Sequence, residues 1–194
     1  MSKDWQYQAQ EFELEKLICN EHLIVWVAEA YNLADSAEIL YVESIKSAME
    51  KLSPKLVKAP VKLVWSHNVQ RMLWGYAFEN LFKAFIIKNA KKNEGTRKVP
   101  LEKIKHHDLL KLASDSKIKL SEDEKLYLKV CEKCVLWAGR YPLPSKAHHL
   151  LRFRRTMKSR SEKEVMYSRV SNMEFDVYKN LFRRLTKEFE NQAD

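Results

Sequence analysis

The sequence predicts an all-α protein, an up-and-down bundle of four to five main helices with extra helical segments at the N- and C-terminal ends. Only 3 Gly and 5 Pro occur among 194 residues, too few for the many turns of a β-sandwich or barrel. Apolar residues recur at three- and four-residue steps over long segments, as in amphipathic helices. With 45% hydrophobic residues, the chain can bury a core, so we expect a single domain over residues 1–194.

The first half of the chain contains two long predicted helices. A shorter helix at about 3–18 precedes one at 21–52, and the prolines of 53–60 form a connection to the next, at about 64–90. A polar loop is expected at 91–100. The expected inward face of the first long helix is Leu23, Val27, Tyr31, Ala34, Ala37, Leu40, Ile45 and Ala48; that of the second is Val69, Met72, Leu73, Tyr76, Ala77, Asn80, Leu81, Ala84 and Ile87.

Capping signals place the later helices. A short helix is predicted at 107–113, and Ser121 with Glu124 forms a capping box that opens a helix at about 122–138. A second such pair, Ser171 and Glu174, opens the final helix at 171–191. Its apolar stripe is Phe175, Tyr178, Phe182, Leu185 and Phe189. Gly75, inside a predicted helix, costs about 1 kcal/mol relative to Ala, which indicates that a neighbouring backbone or ring approaches closely there.

Two short blocks more than account for the net charge of +9, because the rest of the chain is acidic overall. Residues 53–108 hold 12 basic and 4 acidic side chains, and residues 139–170 hold 9 and 2. Clustered Lys and Arg are typical of surfaces that bind phosphates. A solvated face, or contact with the acidic N-terminal helix of a partner subunit, is the alternative. The candidate nucleic-acid-binding residues are Arg152, Arg154, Arg155, Lys158 and Arg160.

Several classes of protein are excluded or disfavoured. Neither Gly-rich phosphate-binding motif, GxGxxG or GxxxxGK[ST], occurs in the chain. The longest apolar run, residues 23–28, is far shorter than the roughly 20 residues of a membrane span. The polar N-terminus and three scattered cysteines favour a cytoplasmic protein. Cys131 and Cys134 could contribute only two of the four zinc ligands, and the others would have to come from Cys19 or from His106, His107, His148 and His149, whose spacing resembles no known finger. We expect core cysteines and no metal or cofactor; a metal or redox pair is the alternative.

Three groups of polar residues are candidates for chemistry. Glu79 and Lys83 are four residues apart on a predicted helix. This spacing has two interpretations: an ion pair on the surface, or the edge of a polar pocket. A predicted helix begins at His106, His107 and Asp108. A histidine there serves as a general acid or base, or has only a capping or packing role, and the carboxylate suits the helix dipole.

The third group ends a predicted helix abruptly at Arg140, Tyr141 and Pro142. The proline restricts Tyr141 to extended conformations. An arginine at a helix end commonly binds the free carbonyl groups.

Three blocks of residues, by their order and spacing, resemble the HEPN superfamily. They are the segment 76–84 (YAFENLFKA), His107-Asp108-Leu109 and Arg140-Tyr141-Pro142, and the resemblance covers roughly residues 25–145. The resemblance implies a small helical bundle of prokaryotic defence, toxin–antitoxin or RNA processing, usually a homodimer. Many such proteins are metal-independent ribonucleases with a histidine four to six residues after an arginine. Here the nearest histidines after Arg140 are His148 and His149. The chain is closer to the Arg-Tyr-Pro branch, which suggests nucleotide binding or a structural, partner-binding role.

Two functional hypotheses follow. In the first, the chain is directed to RNA or a nucleotide; its catalytic version is a metal-independent ribonuclease, with His107 or His148 moving protons and Arg140 stabilising the charge on phosphorus. In the second, it is a non-catalytic dimeric module that binds a nucleotide or a protein partner. In this second hypothesis, a polar network is formed by Glu79, Lys83, His107 and Arg140. Asp108 and Tyr141 lie next to it.

Overall fold

The described residues of the computed structural model, 23–51, 61–94, 103–138 and 172–191, form an all-α bundle, which confirms the predicted class. No strand occurs within these four ranges. The predicted helix at 3–18 and the basic segment 146–170 lie outside them. The helices are α1 (Leu23–Lys51), α2 (Val61–Glu94), α3 (Leu109–Asp115), α4 (Glu122–Lys133), which continues as a π-helical turn at Cys134–Ala138, and α5 (Asn172–Asn191).

Contacts between the helices fix an up-and-down arrangement. The start of α1 lies beside the later part of α2, where the Trp26 ring faces Lys83, and its end lies beside the start of α2, where Ser44 binds Gln70. The helices α1 and α2 are therefore antiparallel. In contrast, α5 runs parallel to α2, as the ordered pairs Arg71–Glu174, Trp74–Tyr178 and Phe85–Phe189 show. Helix α4 is antiparallel to α5, through Tyr127–Tyr178 and Glu124–Arg184.

Helix α2 is the centre of the bundle and is buried on nearly all sides between residues 74 and 87. The single inward face predicted for it is therefore only partly right: Ala77, Leu81, Ala84 and Ile87 are fully buried as predicted, but the buried surface is not confined to that face. Several residues assigned to that face are only half-buried, whereas aromatic residues on the other sides are fully enclosed by α1, α4 and α5. The half-buried ones are Val69, Met72, Leu73, Tyr76 and Asn80; the enclosed aromatic ones are Trp74, Phe78, Phe82 and Phe85.

The boundaries of α2 and part of the inward face of α1 also differ from the prediction. Helix α2 starts at Val61 and continues to Glu94, so residues 91–94 are helical and not part of the predicted loop. In α1, Ala30, Ala34 and Ala37 form the buried stripe, while Tyr31 is 38% exposed. Small side chains are buried here because α1 packs closely against the large side chains of α2.

Gly75 lies where the end of α4 crosses α2. A Cβ atom at this position would lie 3.2 Å from the carbonyl oxygen of Cys131 and 2.5 Å from Val135 Cγ2. The predicted close approach of a neighbouring backbone is thus confirmed. The predicted single helix at 122–138 is instead α-helical only to Lys133, and its π-helical last turn begins next to this crossing.

The short α3 is held by caps at both ends. Its N-cap is Asp108, whose side chain accepts a hydrogen bond from the Lys111 N–H (2.9 Å), so the helix starts two residues after the predicted position. At its other end, the N–H groups of Lys117 and Ile118 bond back to Ser114 and Ala113, which is a Schellman motif. Lys117 occupies the left-handed position with φ 63°.

Candidate functional site around Glu79, Lys83 and His107

Three polar side chains that were singled out in the sequence meet on one side of α2. Lys83 Nζ lies 2.6 Å from Glu79 Oε1, and His107 Nδ1 lies 2.8 Å from Glu79 Oε2 and 3.0 Å from Oε1. The carboxylate thus receives hydrogen bonds from an amine one turn away on its own helix and from an imidazole 28 residues later in the chain. We call these three residues the Glu79 cluster.

Local structure brings the imidazole to this position. Glu79 and Lys83 project from the same face of α2 because they are four residues apart. His107 immediately precedes the N-cap of α3, and the Asp108 cap fixes the direction in which the chain enters that helix. The carbonyl of Asp108 also accepts from the Leu112 N–H at 2.9 Å. Asp108 is therefore a structural neighbour of the cluster that orients its histidine.

The cluster is buried on one side and open on the other. The side chains of Glu79 and Lys83 are only 5% and 9% exposed, so this is a buried ion pair and the surface-pair alternative is wrong. The Lys83 ammonium also lies 5.6 Å from the centroid of the Trp26 ring, which adds a cation–π contact. By contrast, 52% of the His107 side chain is exposed.

This geometry determines which nitrogen of His107 faces outward. A carboxylate can only accept, so Nδ1 carries the hydrogen that is donated to Glu79. The other ring nitrogen, Nε2, is then the acceptor and makes no hydrogen bond with a described residue. A buried carboxylate that holds one imidazole nitrogen while the other faces solvent is the arrangement that orients a histidine for proton transfer.

The neighbouring histidine is held differently. His106 Nδ1 accepts a hydrogen bond from the Asp108 N–H at 3.3 Å, so its hydrogen is on Nε2. That Nε2 is buried and has no hydrogen-bond partner. His106 therefore belongs to the cap of α3, whereas His107 belongs to the Glu79 cluster.

A second buried polar cluster, which the sequence reasoning missed, joins α2 to α5. Arg71 donates from Nε and one terminal nitrogen to the two carboxylate oxygens of Glu174, at 2.8 and 3.0 Å. Tyr178 donates to Glu174 Oε1 at 2.7 Å. Burial by itself would lower the pKa of Arg71, but the charge and hydrogen bonds of Glu174 outweigh it and raise that pKa. Glu174 is thus an ion-pair partner of Arg71. Its predicted capping box with Ser171 stays a prediction, because Ser171 lies outside the described residues.

Cys131 and Cys134 lie beside this second cluster. Both are free thiols and fully buried, which confirms the prediction of core cysteines. Burial raises the pKa of Cys134 to about 12 and that of Cys131 well above its ordinary value. Within the described ranges, no three His, Cys, Asp or Glu residues are grouped so that they could hold a metal ion.

Several predicted functional residues lie outside the described parts of the chain. They are Arg140, Tyr141, His148, Arg152, Arg154, Arg155, Lys158 and Arg160. Their roles stay predictions. The structure therefore brings together three of the four groups expected to meet: the carboxylate at 79, the amine at 83 and the imidazole at 107.

Comparison of the chain with protein-family models, with curated proteins and with solved structures finds no match. The likeness to HEPN proteins is accordingly a resemblance carried by the residues quoted above. No described helix is both long enough and apolar enough to cross a membrane.

Proposed function

We propose that the chain is an RNA- or nucleotide-associated protein of the HEPN type and that His107 is its phosphate-contacting group. The observation that carries this proposal is the hydrogen bond from His107 Nδ1 to the buried Glu79, in a side chain that is 52% exposed and whose Nε2 makes no hydrogen bond with a described residue. The order of residues that resembles HEPN proteins supports it through the same three side chains. Membership of a homodimer and a cytoplasmic location belong to the same proposal.

The charge around His107 supports an anionic ligand. Residues 103–119 carry five lysines and two aspartates, and one of the aspartates, Asp108, is engaged in capping α3. All five ammonium-bearing side chains are exposed: Lys103, Lys105, Lys111, Lys117 and Lys119. Exposed lysines on the segment that carries a half-exposed imidazole raise the positive potential of that segment and favour phosphate groups.

In the catalytic version, the substrate is an RNA phosphodiester. His107 Nε2 takes the proton of the ribose 2′-hydroxyl while the 2′-oxygen forms a bond to phosphorus and the bond from phosphorus to the 5′-oxygen breaks. Arg140 stabilises the charge on the phosphorane, and His148 gives a proton to the leaving 5′-oxygen. The products are a 2′,3′-cyclic phosphate and a 5′-hydroxyl, and DNA is not cut because it lacks the 2′-hydroxyl.

A non-catalytic role is the second candidate, and the burial of Glu79 and Lys83 favours it. The buried ion pair lies within α2 and has Trp26 of α1 against its ammonium, so it contributes to how these two helices pack whether or not a reaction occurs. In this version the cluster orients a bound nucleotide or a protein partner, and His107 contributes affinity without transferring a proton.

The test is an assay with 5′-labelled RNA in EDTA, together with binding of the same RNA measured by fluorescence anisotropy. We expect His107→Ala to abolish cleavage, or to weaken binding about tenfold if the protein only binds. His106→Ala is the matched control, because that imidazole faces the cap of α3 and not Glu79. If wild type neither cuts nor binds RNA or mononucleotides, or if His107→Ala behaves as wild type does, the proposal is wrong.

A further inference from the structure

The solvent-facing side of α1 carries a straight, largely apolar stripe. Its members follow one another at steps of three or four residues and cover five helical turns, about 27 Å. We call this stripe the α1 seam: Ile24, Ala28, Tyr31, Asp35, Ile39 and Val42. Four of its apolar members are 75% (Ile24), 38% (Tyr31), 63% (Ile39) and 46% (Val42) exposed.

Only the edge of the seam touches the core-facing side of the same helix. The apolar residues of α1 that are buried in the core are Ala30, Ala34, Ala37 and Tyr41, at most 7% exposed. Among the seam residues, Tyr31 makes an edge-on ring contact with Phe182 of α5, with 5.4 Å between the ring centroids. Burying a single Ile side chain contributes about 1.5–3 kcal/mol, so leaving two of them in water along one line is unfavourable. Aligned exposed apolar residues of this kind mark a surface that another molecule covers.

The charge of α1 indicates what kind of molecule this is. Asp35 lies in the middle of the seam, is exposed, and makes no hydrogen bond or ion pair in the part of the chain that the structure describes. The helix as a whole carries five acidic and two basic residues, in a chain whose net charge is +9. A single charged residue within an apolar seam selects a partner that presents the opposite charge there.

A second copy of this chain fits the seam poorly. If a two-fold axis pairs the seam with itself and the two helices are parallel, each Asp35 faces the other Asp35 directly. If the helices are antiparallel, the two carboxylates are still close, because Asp35 is only two residues from the midpoint of the seam at position 33. Like charges that face each other across an interface are destabilising. A partner with a basic residue at this point has no such repulsion.

We propose that the α1 seam binds an amphipathic helix of another protein, with an apolar stripe of about five turns and a Lys or Arg opposite Asp35. The apolar residues supply most of the affinity, and the contact with Asp35 sets register and partner choice. The surface is distinct from the Glu79 cluster, so the protein can engage this partner independently of a phosphate ligand.

The test uses the full chain and two fluorescein-labelled helical peptides of 18 residues. Both carry the same stripe of Leu and Ala and differ only at its centre, which is Lys in one and Glu in the other. We expect the Lys peptide to bind about tenfold more tightly in fluorescence anisotropy. Asp35→Lys should reverse the preference, and Ile39→Asp should remove the binding of both peptides.

The control is Glu29→Lys, which makes the same charge change on the exposed surface of α1 but about 120° around the helix from Asp35. It should keep the preference for the Lys peptide. Equal affinity for the two peptides, or a preference that Asp35→Lys leaves unchanged, overturns the proposal. It is also overturned if sedimentation shows a dimer that Ile39→Asp dissociates, because the seam is then covered by a second copy.

Discussion

Replacing Lys83 by methionine removes the ammonium group that neutralises the buried Glu79 carboxylate. Methionine keeps a side chain of similar length, so the main change is the loss of the ion pair at 2.6 Å. Removing one partner of a buried pair costs about 3–5 kcal/mol. We expect about 3 kcal/mol, since His107 Nδ1 still donates to the carboxylate at 2.8 Å. That is a large fraction of the roughly 5–15 kcal/mol by which a domain is stable.

The assay is urea unfolding followed by circular dichroism, with extrapolation to water. The double variant Lys83→Met, Glu79→Gln should regain most of the lost free energy of unfolding, because the carboxylate is then replaced by a neutral amide of the same shape. His107→Ala should cost less than about 1 kcal/mol, since that side chain is half-exposed. A loss below 1 kcal/mol for Lys83→Met, or a double variant no more stable than the single one, would show that the ammonium does not stabilise the buried carboxylate.

Other predictions concern packing, backbone and pH. Gly75→Ala should lower the free energy of unfolding by about 1–3 kcal/mol in spite of alanine's better helix propensity, because the new Cβ would collide with Val135. Unchanged stability in urea unfolding would contradict this prediction and show that α4 can move away from α2 at little cost. Lys117→Gly should raise the melting temperature and add up to about 1 kcal/mol to the free energy of unfolding. The reason is that φ is 63° at this position, a left-handed conformation that glycine adopts without strain. A lower melting temperature would contradict this prediction. The Cys134 thiol has its pKa raised from 9.0 to about 12 by burial, so its contribution to stability is complete below pH 9 and is lost as the pH rises to about 12. Between pH 9 and about 12, the free energy of unfolding should fall with rising pH more steeply in wild type than in Cys134→Ala. The two slopes should differ by up to about 1.4 kcal/mol per pH unit, and equal slopes in urea unfolding would contradict this prediction.

Helix positions were predictable from the sequence where the signal is local. Ser121 and Glu124 form the expected capping box, with both reciprocal hydrogen bonds present, because a cap depends only on residues three positions apart. The close approach at Gly75 was also predictable, since a glycine inside a long helix needs a reason of this kind. These features do not depend on how distant parts of the chain meet.

The faces of the central helix were not predictable in the same way. A stripe of apolar residues indicates one buried side, but α2 is covered by α1, α4 and α5 together. Phe78, Phe82 and Phe85 are therefore all fully buried although they were left out of the predicted face. Aromatic residues on more than one side of the helix were the available signal.

Part of the candidate site was accessible from the sequence and part was not. Glu79 and Lys83 are an i,i+4 pair, so their contact follows from helix geometry. Only the resemblance indicated that His107 joins them from 28 positions away. No sequence pattern indicated that Arg71 and Glu174, 103 positions apart, form a buried bidentate pair, because each is equally typical of the exposed face of an amphipathic helix.

Glu79 holds His107 by Nδ1 and leaves Nε2 without a bond to a described residue. Long-range ¹H–¹⁵N NMR of the imidazole side chains, assigned with His107→Ala, measures which ring nitrogen carries the hydrogen. At a pH where the ring is neutral, we expect the hydrogen on Nδ1 and an unprotonated Nε2, and loss of that preference in Glu79→Ala. A hydrogen on Nε2 in the folded wild-type protein, or a tautomer that does not respond to Glu79→Ala, would show that Glu79 does not orient this histidine.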